Sequence, residues 1–138
     1  MKIKSLFLIV MALLLCVSLV SCSKRVKRDE AKEMTELLLD AVEAADFEKA
    51  KTYLHPDRAF DVAKLFNSIE ERENVDFQKG IEIKKYTNFS SSLYDSEVDG
   101  SDYELDMDIL VDGVIFELSI EVVRNDDGYG IYDIELDR

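Results

Sequence analysis

Two spacings of hydrophobic residues divide the chain, a helical one before Gly80 and an alternating one after it. Met34, Leu37, Leu38, Ala41, Val42 and Ala45 recur at steps of three and four, which places them on one face of an α-helix. Asp29 is positioned to cap its start, and Asp29, Glu30 and Glu33 suit the positive end of the helix dipole. Asp46 is a second cap, opening a helix from Phe47 to Leu54 with Phe47, Ala50, Tyr53 and Leu54 turned inward. His55-Pro56 ends it, because the residue before a proline is pushed out of helical geometry. A third helix is predicted from about Asp57 to Glu73, burying Phe60, Ala63 and Phe66, with Val62, Leu65 and Ile69 beside them.

After Gly80 the period falls to two. Leu105, Met107, Ile109 and Val111 alternate with Glu104, Asp106 and Asp108, and Asp112-Gly113 supplies a two-residue hairpin turn. Phe116, Leu118, Ile120 and Val122 then alternate with Glu117, Ser119 and Glu121. Beyond the turn at Asn125-Asp126-Asp127-Gly128, Tyr132, Ile134 and Leu136 alternate with Asp133, Glu135 and Asp137. Earlier, Ile81 to Phe89 and roughly Ser92 to Val98 are predicted as two further strands, joined onward by Asp99-Gly100. The expectation is an α+β domain: N-terminal helices packed on the apolar face of an antiparallel β-meander of four to five strands. Its other face is polar and meets water.

The front end has a different character. Met1 to Lys4 carries two lysines, and from Leu6 to Val20 every residue is apolar except Ser18. A basic start before a short apolar run is the layout of a secretory signal, and a bilayer-spanning helix needs about 20 apolar residues. Leu19-Val20-Ser21-Cys22 resembles the lipobox of bacterial lipoproteins: an aliphatic residue, a tolerant position, a small residue, then cysteine. That resemblance implies diacylglycerol on the Cys22 thiol and cleavage just before it. Cys16 would leave with the leader, so Cys22 would be the one cysteine of the product, with no partner for an internal disulfide. Two acyl chains on that thiol suffice for stable anchoring. The chain then divides into a signal peptide (1–21), a basic tether (22–28) and a single domain (29–138).

Charge narrows the partners. The formal net charge is −13, and loss of a leader holding Lys2 and Lys4 makes the remainder more acidic still. Such a surface argues against nucleic acid, where a basic face must replace phosphate counterions. Lys24, Arg25, Lys27 and Arg28 stand apart. Next to a lipidated cysteine they would either favour anionic headgroups, at about 1 kcal/mol each, or serve as a solvated linker.

Ala44-Ala45-Asp46-Phe47-Glu48-Lys49-Ala50, with Tyr53-Leu54 after it, resembles the helix pair of small lipoproteins in the nuclear-transport-factor-two-like superfamily. The resemblance implies a curved antiparallel sheet wrapped around N-terminal helices; a cystatin-like arrangement has the same element order. No strand hairpin is visible between the helices, which many members have. Enzymes of that superfamily place a carboxylate, histidine or tyrosine inside an apolar cone, where burial shifts its pKa. The three clearest strands here offer no carboxylate, histidine or arginine on their apolar face.

Few residues remain to carry chemistry. His55, the sole histidine, is read as a capping or surface residue at a helix end; with Tyr53, Tyr86, Met107 and Tyr132 it could instead line a pocket between helices and sheet. One histidine and no free cysteine leave no zinc set. Asp95, Glu97, Asp99, Gly100 and Asp106 fall at the offsets of a calcium loop, although Tyr103 to Val111 alternates as a strand where that loop needs a helix. A hairpin turn in an acidic chain explains the match without metal, and no cofactor is expected. The function this supports is a non-catalytic binding or accessory domain, lipid-anchored through Cys22 outside the cytoplasmic membrane or on an outer membrane, with an envelope protein as its possible partner. A small-ligand binder or enzyme with a cone-shaped pocket is the alternative.

Overall fold

The computed structural model describes residues 25–138; the leader, the lipobox, Cys22 and Lys24 lie outside the described residues. Among the described residues three helices, α1 (Arg28–Glu43), α2 (Phe47–Lys51) and α3 (Val62–Glu73), and a 3-10 turn (Phe77–Lys79) precede four strands. These are β1 (Ile81–Asp95), β2 (Gly100–Val111), β3 (Val114–Asn125) and β4 (Gly128–Asp137), in the order β1-β2-β3-β4, every pair antiparallel. The chain is an α+β domain with an open four-stranded meander. Among the described residues no helix is long and apolar enough to cross a membrane.

The first helix begins one residue before the expected Asp29 cap. Glu30 reaches back to accept the Lys27 N–H at 3.0 Å, half of a capping box, so Lys27 becomes the cap and Asp29 sits in the first turn. Its buried stripe is Ala31, Thr35, Leu38, Leu39, Ala41 and Val42. Leu37 and Ala45, expected inward, are exposed; the stripe is turned so that Leu39 takes the inner place. Thr35 is tolerated there because its hydroxyl donates to the Ala31 carbonyl at 2.9 Å.

The second helix is shorter than expected. Asp46 caps it by accepting the Lys49 N–H, but Tyr53 to His55 leaves helical geometry to meet β4. Ile131 N–H donates to the Tyr53 carbonyl and His55 N–H to the Ile131 carbonyl, each at 2.8 Å, so Leu54 adds a short parallel bridge along the β4 edge. The third helix starts at Val62 rather than near Asp57, because Asp61 supplies the cap to Lys64 N–H. Phe60 therefore packs from the loop, and Asn74, at φ +52°, closes the helix in the left-handed conformation.

One strand replaces the two expected between Ile81 and Val98. The β1–β2 register slips at Ile83/Lys85, Tyr86/Asn88 and Ser92/Asp95, and each slip adds a residue to β1. Its half-buried side chains, Ile81, Ile83, Tyr86 and Phe89, fall at steps of two and then three, which hides the alternation. Extra residues of this kind bend a strand and disrupt its pairing edge. A further slip between Glu121 and Val122 makes Tyr132 the unpaired residue of β4 and pairs Val122 with Ile131. Ile131, not Tyr132, therefore fills the inner position and is fully buried. The core between helices and sheet is a single cluster in which Phe66, Phe77 and Phe116 meet Leu38, Met107, Leu118 and Ile120. Phe77 stands edge-on to Phe66 at 5.1 Å between ring centres and tilted to Phe116 at 6.4 Å, a favourable aromatic arrangement.

Candidate functional site

Three places hold polar or exposed groups that the fold has positioned. The first is where the chain enters the domain. Val26 is fully buried, and its N–H donates to Ser101 Oγ at 3.0 Å, which accounts for a buried serine in β2. Arg124 reaches the Arg25 carbonyl at 3.1 Å and the Glu30 carboxylate at 3.4 Å. Arg28 lies 4.3 Å from the centre of the Phe89 ring and donates to the Tyr103 hydroxyl at 3.0 Å. One helical turn on, Lys32 covers Tyr86 at 4.7 Å. The described part of the basic segment is thus bound to the fold from Val26 onward, and Arg28 opens α1. Beside this entry Leu93 and Tyr94 line an open cleft of about 480 Å³ with Asp99, Gly100, Ser101 and Arg124.

The second place is a clasp around His55. Its ring is buried and has no exposed side-chain surface, which corrects the surface reading. Nδ1 accepts the Asp57 N–H at 3.0 Å, so the proton sits on Nε2, which donates to Asn125 Oδ1 at 3.0 Å. The same oxygen accepts the N–H groups of Asp127 and Gly128, while Asn125 Nδ2 donates to Val98 O and Asp57 Oδ2. Asn125 therefore ties both hairpin turns to the His55 loop. Glycine is required at two neighbouring points. A Cβ on Gly130 would lie 2.6 Å from His55 N and 2.7 Å from Leu54 C, and one on Gly128 2.7 Å from Pro56 Cγ. Asp57 faces Asp127 and raises its pKa.

The candidate pocket residues divide between two locations. Tyr132 packs edge-on against His55 at 5.5 Å and under Arg58, and the Tyr53 carbonyl accepts from the neighbouring Ile131 N–H. Tyr86 and Met107 are cross-strand partners on β1 and β2. β1 and β4 are opposite edges of the sheet, so the two groups do not converge. Met107 is sealed in the core. The Tyr86 hydroxyl is shielded from water; burial, then the nearby Glu36 carboxylate, raises its pKa.

The calcium candidates do not converge either. Asp95 accepts the Glu97 N–H and Asp99 accepts the Tyr94 hydroxyl, so both carboxylates hold the β1–β2 turn. Asp106 lies six residues up β2 from Gly100, roughly 20 Å along the strand, and accepts from Asn88. Among the described residues no group of histidine, cysteine and acidic side chains is placed to hold a metal ion.

The third place is the polar sheet face. The register sets Glu104 opposite Glu121 and Glu121 opposite Asp133. Glu104, Ser119, Glu121, Asp133 and Glu135 surround a hollow of about 90 Å³. Loss of water around Glu121, then the charges of Asp102, Asp133 and Glu104, pushes its pKa to about 7. Arg58 stands 3.5 Å from Asp133 at the rim.

Sequence reasoning missed Asn125 and Ser101. A turn asparagine before Asp-Asp-Gly was visible; its reach to His55, seventy residues away, has no periodic signal. No protein-family model, curated protein or solved structure matches the chain.

Proposed function

We propose that the chain is a membrane-anchored extracytoplasmic lipoprotein whose domain acts as a non-catalytic binding or accessory module at the cell envelope. The observation that carries this reading is Leu19-Val20-Ser21-Cys22, following an apolar run and preceding a folded domain in which Val26 is the first buried residue among those described. Acyl chains on Cys22 would hold such a domain directly against a bilayer, since four residues span at most about 14 Å. The interior supports binding through the surface rather than inside the fold: the apolar sheet face meets aromatic and aliphatic side chains from the helices.

The test is labelled palmitate. Incorporation into the full chain, lost together with membrane partitioning in Cys22→Ser, is expected. A chain that takes up no label, or a serine variant of unchanged size and partitioning, overturns the proposal. For the accessory role, gentle crosslinking in membranes should yield a discrete adduct; a chain that stays alone counts against it.

A further inference from the structure

The described chain begins at Arg25 already docked, with Val26 buried on Ser101 and Arg124 on the Arg25 carbonyl. Arg25 lies three positions after Cys22, a reach of at most about 11 Å. Whatever holds Cys22 therefore holds the end of the sheet where β1 turns into β2 and β3 into β4. At that end Leu93 and Tyr94 are 70% and 65% exposed, the most open large hydrophobic side chains among the described residues. They share their cleft with Ser101 and Arg124, the two residues that fasten the entering chain. Tyr94 is held across the turn by its hydroxyl on Asp99 at 2.7 Å.

We infer that Leu93 and Tyr94 enter the interfacial zone of the bilayer and fix the domain in one orientation, turn end down. The inference rests on the acylation of Cys22 proposed above. A leucine beside a tyrosine with a polar tip matches the headgroup boundary, where one end of a side chain is apolar and the other wet. The tether is too short and too well fastened for the domain to present another end. Charge does not drive the contact: Arg25, Lys27, Arg28 and Arg124 are opposed at the same end by Asp95, Glu97, Asp99, Asp126 and Asp127. The contact should thus form on zwitterionic lipid and withstand salt.

Ile115 is the control. It is 48% exposed and lies beside the Asp112-Gly113 turn, roughly 30 Å along β3 from Arg124. The experiment uses the full chain, acylated in a host cell, with Leu93→Cys or Ile115→Cys as the added thiol. Each is labelled with a fluorophore and reconstituted in phosphatidylcholine vesicles carrying a headgroup-level nitroxide lipid. Quenching several-fold stronger at position 93 than at 115 is expected. It should stay unchanged between about 0.1 M and about 1 M salt, where the screening length falls from about 10 Å to about 3 Å. Equal quenching at both positions, in a preparation that takes up labelled palmitate, overturns this inference and leaves the acylation standing. Absence of palmitate overturns both. A photo-crosslinker at Tyr94 that captures protein instead of lipid in native membranes also overturns it and gives the surface to a protein partner.

Discussion

Glu121 faces acidic neighbours on both sides, and replacing it with glutamine isolates what that arrangement does to stability. The register places Glu104 opposite it on β2 and Asp133 opposite it on β4. With part of its water removed, its pKa rises from 4.5 to about 7. A carboxyl whose folded pKa exceeds its unfolded one opposes folding in its charged form. The penalty is absent below about 4.5, grows as pH rises through about 7, and is complete above it. The full gap corresponds to roughly 3 kcal/mol at about 1.4 kcal/mol per pH unit. Glu121 is only half-buried, and solvent screening reduces this to about 1–2 kcal/mol. Glu121→Gln should therefore raise Tm by about 4–8 °C at pH 8 and leave it unchanged near pH 4. Thermal unfolding followed by circular dichroism at the two pH values measures this directly. An equal gain at both would assign the effect to packing, and no gain at pH 8 would refute the electrostatic argument.

Three further substitutions probe the clasp and the core. Asn125→Ala removes the acceptor of His55 Nε2 and of two turn N–H groups, and should lower the urea-unfolding free energy by about 1–3 kcal/mol. Gly130→Ala drives a methyl into the Leu54–His55 backbone; a loss of about 1–3 kcal/mol is expected, with hydrogen exchange accelerated at the Ile131 and His55 amides. Phe77→Ala opens the aromatic contact with Phe66 and Phe116 and should cost about 3–5 kcal/mol by chemical denaturation.

The elements that the sequence revealed are those whose spacing is regular. β2 alternates without a slip from Gly100 to Val111, and the Asp112-Gly113 turn takes positive φ at both residues, as a two-residue hairpin demands. β1 was hidden because its slips turn a period of two into steps of three, close enough to no regular period that a break after Phe89 looked natural. Tyr132 was misplaced for the same reason. One unpaired residue reverses which side of β4 every preceding side chain faces, and Ile131 takes the inner site. Helix ends moved where a competing interaction was non-local: the pull of Ile131 on Tyr53 and His55 shortens α2, and nothing within residues 47–56 announces it beyond Pro56.

The polar sites follow the same division. The carboxylate face was legible, since alternation alone puts Glu104, Glu121 and Asp133 on one side, and pairing then makes neighbours of them. The His55 clasp was not, because it joins a loop to two hairpin turns that only the folded sheet brings together. His55 and Asn125 are each ordinary loop residues until β4 runs beside Leu54; then one ring and one amide bond each other and satisfy five further polar groups. A lone histidine before proline is usually solvent-facing, and here burial follows from the glycines opposite it. With no Cβ on Gly130, the Leu54–His55 backbone lies close enough to β4 to bond it on both sides. Small residues in a partner strand, rather than any feature near the histidine, were the signal for where that ring would go.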